Sequence, residues 1–218
     1  MPRIAVEIPA LPVLVPLTLV ALVLTWWRLH RTGTLTGPRF AVGALACLYG
    51  AALLDAVFLP FAVDTGAAAN LVPWWVYVQP VPLVTADPTG VLLNTALFVP
   101  LGVLLPLVTG MRSARRVVLT GAALSLAIEV TQFLADIVVS SGRVADVDDL
   151  IANTAGTSLG WLVFRVFVAI PAGARLVRAV GHPVASADGE RSADVNDGRT
   201  RPPAPHLPEA PTSARVSP

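Results

Sequence analysis

The chain has 218 residues, of which 55% are hydrophobic and only 13% charged, with a formal net charge of +1 and a mean hydropathy of +0.70. So few charges among so many apolar residues exclude an ordinary soluble domain, and most of the chain must face lipid or other membrane helices. There is no basic patch or stacking platform for nucleic acid, and the single cysteine, Cys47, excludes an intramolecular disulfide and a cysteine-based metal site.

The first apolar run covers about Pro9 to Leu29 and ends in Trp26, Trp27 and Arg28. A cleaved signal peptide is the competing interpretation. The weakly charged start, the length of the run and the lack of a small-residue cleavage site favour a retained transmembrane helix with its tryptophans at a headgroup boundary. His30 to Pro38 is a polar turn flanked by Arg28, Arg31 and Arg39. The second run, about Phe40 to Phe61, carries Cys47 as a small buried thiol. Asp55 lies in its second half, either as a functional carboxylate or as a hydrogen-bonding group near the interface.

Ala62 to Thr89 is the longest connection and has no basic residue. Its prolines forbid a long helix, and Trp74, Trp75 and Tyr77 suit a segment lying in the membrane interface, as an anchor or as a ligand-contacting loop. The third run is about Gly90 to Val108, with Asn94 near its start and Pro100 and Pro106 expected to kink or loosen it. Arg112, Arg115 and Arg116 follow.

The fourth run is about Val117 to Phe133, where Ser125, Glu129 and Gln132 share one helix face. A carboxylate in such a segment costs roughly 2.5–3.5 kcal/mol at the bilayer centre on insertion scales, so it needs a partner. The connection Leu134 to Asp148 contains Arg143, and the fifth run covers about Asp149 to Ile170. Asp146, Asp149, Asn153, Gly156 and Gly160 repeat by threes and fours, and the two glycines permit close approach of another helix. From about Gly181 to Pro218 the composition is too poor in large apolar residues to fold, which predicts a disordered tail.

The fold class expected is all-α: an integral membrane bundle of about five transmembrane helices with a disordered C-terminal tail. Arginines crowd the first and third connections and the segment after the fifth helix. The excess of basic residues on cytoplasmic loops then puts the N-terminus outside and the tail inside. Asn94, Glu129, Gln132, Arg143, Asp146, Asp149 and Asn153 would converge near the outer face as a ligand-binding cluster, with Glu129, Asp146 and Asp149 as candidate catalytic carboxylates.

The same residues also suit a closed structural network, with Glu129 paired to Arg143 and Asp146 capping the fifth helix. Oxygen ligands could hold a divalent cation. The residues name neither metal nor cofactor, no histidine lies near the cluster, and no phosphate loop or HExxH is present.

NLVP at Asn70–Pro73, NTALFVPLG at Asn94–Gly102, SLAIEVTQ at Ser125–Gln132 and RVADVDDLIANTAG at Arg143–Gly156 occur in the order found in VanZ-like membrane proteins, which the chain resembles over about residues 40 to 170. The resemblance divides the chain into an N-terminal helix and cytoplasmic loop (1–39), a VanZ-like membrane domain (40–172) and a cytoplasmic tail (181–218). It implies a multi-pass protein of the bacterial plasma membrane. The family's namesake is associated with low-level resistance to teicoplanin, a glycopeptide, so the partners implied are the bilayer and either a glycopeptide or a lipid-linked cell-wall precursor. Some relatives carry a phosphotransbutyrylase label, but no acyl-phosphate or coenzyme A signature occurs here.

Overall fold

The computed structural model describes residues 5–59, 61–64, 73, 75, 78–82, 87–139 and 145–180. Arg143, Trp74, Tyr77 and the tail expected to be disordered lie outside the described residues.

Five helices are long and apolar enough to cross a membrane. They are α1 (Ala10–Arg31), α2 (Gly37–Phe58), α3 (Pro88–Thr109), α4 (Ala114–Val139) and α5 (Val147–Ala169). Each has at least 22 residues, and a rise of about 1.5 Å per residue carries such a helix across a hydrocarbon core about 30 Å thick. The membrane-spanning helical bundle expected from composition is the fold observed.

Local chemistry sets the helix ends. Asp87 accepts from the backbone N–H groups of Thr89 and Gly90 at 3.2 and 3.0 Å, and Pro88 follows it, where a missing N–H costs nothing. At the far end of α3, Gly110 takes a left-handed φ of 73° that other residues adopt at a cost. The last turn of α1 carries Arg28, His30 and Arg31 against the negative end of its dipole. Trp26 stacks on His30, and Arg31 lies 4.9 Å over Trp27, so the aromatic boundary of this span also holds its cations.

α3 runs unbroken through Pro100 and Pro106. Pro100 deprives the Ala96 carbonyl of its usual donor. Beside it, the Leu97 carbonyl accepts the Tyr49 hydroxyl of α2 at 2.9 Å.

Glycines bring α3 and α5 into the closest helix contact. A Cβ at Gly156 would lie 2.2 Å from the Thr95 carbonyl oxygen, one at Gly160 would lie 2.0 Å from that of Val99, and one at Gly102 would lie 2.2 Å from that of Thr157. The GTSLG spacing therefore does close a helix–helix seam. α4 joins at Gly121, which faces the Thr157 side chain. Phe98 is fully buried and packs with Leu53, Leu101 and Ile128 as the apolar core. α1 buries no residue completely and lies against α2, where the Thr25 hydroxyl and Cys47 thiol are 3.4 Å apart.

Three features extend the expected outline. Two short strand pairs lie at the end of the bundle where α1, α3 and α5 begin. β1 (Ala5–Ile8) pairs antiparallel with β2 (Phe61–Asp64), and β3 (Val78–Gln79) pairs parallel with β4 (Ala145–Asp146). α4 continues to Val139, so Leu134 onward is helix where a connection was expected. A final helix, α6 (Pro171–Val180), folds back against α5 and α2. It is too short to span and is amphipathic, with Arg175 and Arg178 set against Leu176 and Val180.

Candidate functional site

The polar residues gather at the strand end of the bundle, within and between α3, α4 and α5. On α4, Ser125, Glu129, Gln132 and Asp136 form one stripe at helical spacing. Ser125, Glu129 and Asp136 are buried, at 0%, 7% and 1% exposure.

Ser125 and Glu129 draw on different elements. The Ser125 hydroxyl oxygen accepts from Asn153 Nδ2 of α5 at 2.9 Å. Glu129 Oε2 accepts from the backbone N–H of Asp146, in β4, at 2.9 Å. Asp146 in turn caps α5, its Oδ1 accepting from the Asp148 N–H at 2.8 Å. Asn94 Nδ2 of α3 donates to Asp149 Oδ1 of α5 in a short hydrogen bond. Asp146, Asp148 and Asp149 all sit at the positive end of the α5 dipole, which favours their charge there.

Five of the seven expected ligand residues, Asn94, Glu129, Asp146, Asp149 and Asn153, are thus brought to one end by three helices and a strand. Gln132 is adjacent but turned aside. Its Nε2 donates at 3.2 Å to the Val57 carbonyl, one of those left without an intrahelical donor in the last turn of α2. Arg143 lies outside the described residues. The expected pairing of Glu129 with Arg143 falls outside the described residues too, and within them Glu129 meets a main-chain N–H. Asp55 has an exposed side chain on α2, and its carbonyl accepts from the Leu59 N–H that caps the helix, away from the cluster.

The cluster is layered. Asp146 and Asp149 are half-buried at its rim, and Ser125, Glu129 and Asn153 are buried behind them. Asn153 Oδ1 is buried with no hydrogen-bond partner among the described residues, leaving an acceptor on the floor of the cluster. Glu129 reaches the main chain of Asp146, and Asp149 follows in the first turn of α5. This arrangement offers acceptors to a donor-bearing ligand, and a buried carboxyl at Glu129 that can exchange a proton. Among the described residues, no group of three histidine, cysteine, aspartate or glutamate side chains is placed to hold a metal ion.

Two buried carboxylates escaped the expected site. Asp136 continues the α4 stripe four residues beyond Gln132, a spacing that could have found it had the helix not been ended at Phe133. Asp148 is 5% exposed in the first turn of α5, off the repeat that picked out Asp146 and Asp149.

Comparison with curated proteins and with solved structures finds no match. A sequence model of the VanZ/LLP1 family matches residues 13–168, most of the chain, including every helix that contributes to the cluster. The chain therefore belongs to the VanZ/LLP1 family.

Proposed function

We propose that the chain is a multi-pass protein of the bacterial plasma membrane, with its N-terminus outside and its tail in the cytoplasm. Its polar cluster binds a donor-rich ligand at the outer leaflet, either a glycopeptide or a lipid-linked cell-wall precursor. The observation that carries this is the convergence of Asn94, Glu129, Asp149 and Asn153 from three spans at one end of the bundle. Arg28, Arg39, Arg112, Arg115, Arg116 and Arg178 belong to the opposite end, which the rule for basic residues assigns to the cytoplasm. The acceptor-only chemistry of the carboxylates, and an Asn153 oxygen without a partner among the described residues, suit amines, amides and hydroxyls.

The test replaces Glu129→Gln and Asp149→Asn together, in cells where the variant inserts normally. Glycopeptide susceptibility and envelope composition should shift toward those of a deletion strain. If the deletion alters either property and the double variant matches wild type in both, the cluster is a packing device and the proposal fails.

A second activity is favoured by one feature, the placement of buried Glu129 beside two further carboxylates. In this alternative the protein is an enzyme acting on a lipid-linked envelope substrate, with Glu129 as general acid or base. Turnover of such precursors by purified protein, abolished by Glu129→Gln, distinguishes it from simple binding.

A further inference from the structure

The end of the bundle away from the polar cluster holds a second arrangement that the proposed function does not use. Two cavities adjoin there. The first, about 600 Å³, opens between the end of α1, the start of α2 and the end of α3. Arg28, Arg39, Thr25, Thr32 and Thr109 line it together with apolar residues such as Leu29 and Val108. The second, about 440 Å³, continues toward the middle of the membrane between the same three helices and Leu124 of α4. Its lining is almost wholly apolar, including Leu17, Ala21, Leu53, Leu101 and Leu105. Ala46, Cys47, Val108 and Thr109 line both, so the two share walls.

The mouth has cations without anions. Neither lining contains aspartate or glutamate. Arg39 Nη1 makes a long hydrogen bond of 3.4 Å to the Thr34 carbonyl, and its Nε is buried with no partner among the described residues. A buried guanidinium N–H without an acceptor costs free energy that an anion would recover. Arg28, an exposed residue, lines the same cavity. Two arginines at a membrane boundary match the charge and acceptor oxygens of a phosphate group, and the apolar trough below matches a hydrocarbon chain. A water-soluble anion would leave that trough unused.

We propose that this paired cavity is a binding site for an acidic phospholipid, with the phosphate held by Arg28 and Arg39 and an acyl chain lying in the trough toward Leu101 and Leu124. The site is separate from the polar cluster and does not depend on which way round the chain crosses the membrane.

Native mass spectrometry of the full chain tests it, after exchange into bilayers containing equal amounts of phosphatidylglycerol and phosphatidylcholine with identical acyl chains. The wild type should retain phosphatidylglycerol with a preference of roughly tenfold or more, because both lipids offer a phosphate but the choline cation of phosphatidylcholine is repelled by the two arginines. Arg28→Gln with Arg39→Gln should abolish the preference, lowering phosphatidylglycerol retention more than phosphatidylcholine retention. Gly50→Leu should reduce retention of both lipids, because Gly50 lines the trough and a Cβ there meets nothing within 4 Å, so the larger side chain fills the space without disturbing the backbone.

Equal retention of the two lipids by the wild type overturns the proposal, as does a preference that survives loss of both arginines. Undiminished retention in Gly50→Leu overturns the placement of the chain. Displacement of the lipid by millimolar inorganic phosphate overturns the lipid as occupant, leaving a site for a free anion. The Gly50→Leu and phosphate measurements decide the matter even where the double arginine variant does not fold.

Discussion

The Glu129 carboxylate accepts a hydrogen bond from the main-chain N–H of Asp146 at 2.9 Å. Asp146 uses its own side chain to cap α5, so one contact ties the middle of α4 to the entry of α5. The charge on Glu129 and its acceptor role are therefore separable. Glu129→Gln keeps an oxygen for the Asp146 N–H and should change stability by less than about 1 kcal/mol. Glu129→Ala leaves that N–H without its partner and should cost about 1–3 kcal/mol. Thermal unfolding of the purified protein in detergent, followed by tryptophan fluorescence, checks the order; equal losses would contradict it.

Gln132 and Asp149 should behave differently despite lying at the same end. Gln132 satisfies the Val57 carbonyl at the end of α2. Gln132→Leu should lower stability by about 1 kcal/mol and leave glycopeptide susceptibility and envelope composition as in wild type once expression is matched. Asp149→Asn should do the reverse, because it removes a rim charge while preserving the shape and an acceptor for Asn94. Melting temperature and susceptibility measured on the same two variants separate the roles.

The glycine seam gives a sharp contrast. A Cβ at Gly160 would lie 2.0 Å from the Val99 carbonyl oxygen, so Gly160→Ala forces α3 and α5 apart and should cost about 1–3 kcal/mol. A Cβ at Gly50 meets nothing within 4 Å. Gly50→Ala should be neutral or raise stability by up to about 1 kcal/mol through helix propensity. Thermal unfolding of the two single variants measures this.

Orientation is testable because Cys47 is the sole thiol. In a Cys47→Ser background, Gln79→Cys should react with a membrane-impermeant maleimide added to intact cells. Ser113→Cys, in the turn between α3 and α4, should react only after permeabilisation. The opposite pattern would place the polar cluster in the cytoplasm and remove glycopeptides as its ligand.

The spans were legible in the sequence because a membrane-length apolar run is a strong signal that short-range patterning cannot blur. The stripe of Ser125, Glu129 and Gln132 was legible for the same reason: helical spacing puts them on one face. Spacing along one helix does not say where a side chain ends, however. Gln132 is long enough to reach Val57, while Glu129 meets a strand seventeen residues on. The Asn94–Asp149 bond joins residues 55 apart in sequence, and no periodic pattern encodes it. Asp136 was hidden because a charged residue just past an apolar run reads as the start of a loop. The strand pairs are two to four residues long and join distant segments, so they carry almost no local signature. α6 was missed because its ten residues fall far below the length of a span.

The glycine-lined seam joins the third and fifth spans, which are separated in the chain by the fourth. During synthesis the growing polypeptide therefore cannot close this seam until α5 has been made. Before α5 is in place, Ser125 and Glu129 of α4 lack the partners that Asn153 and Asp146 bring. The glycine seam and the polar end thus both depend on one stretch of chain, β4 with α5.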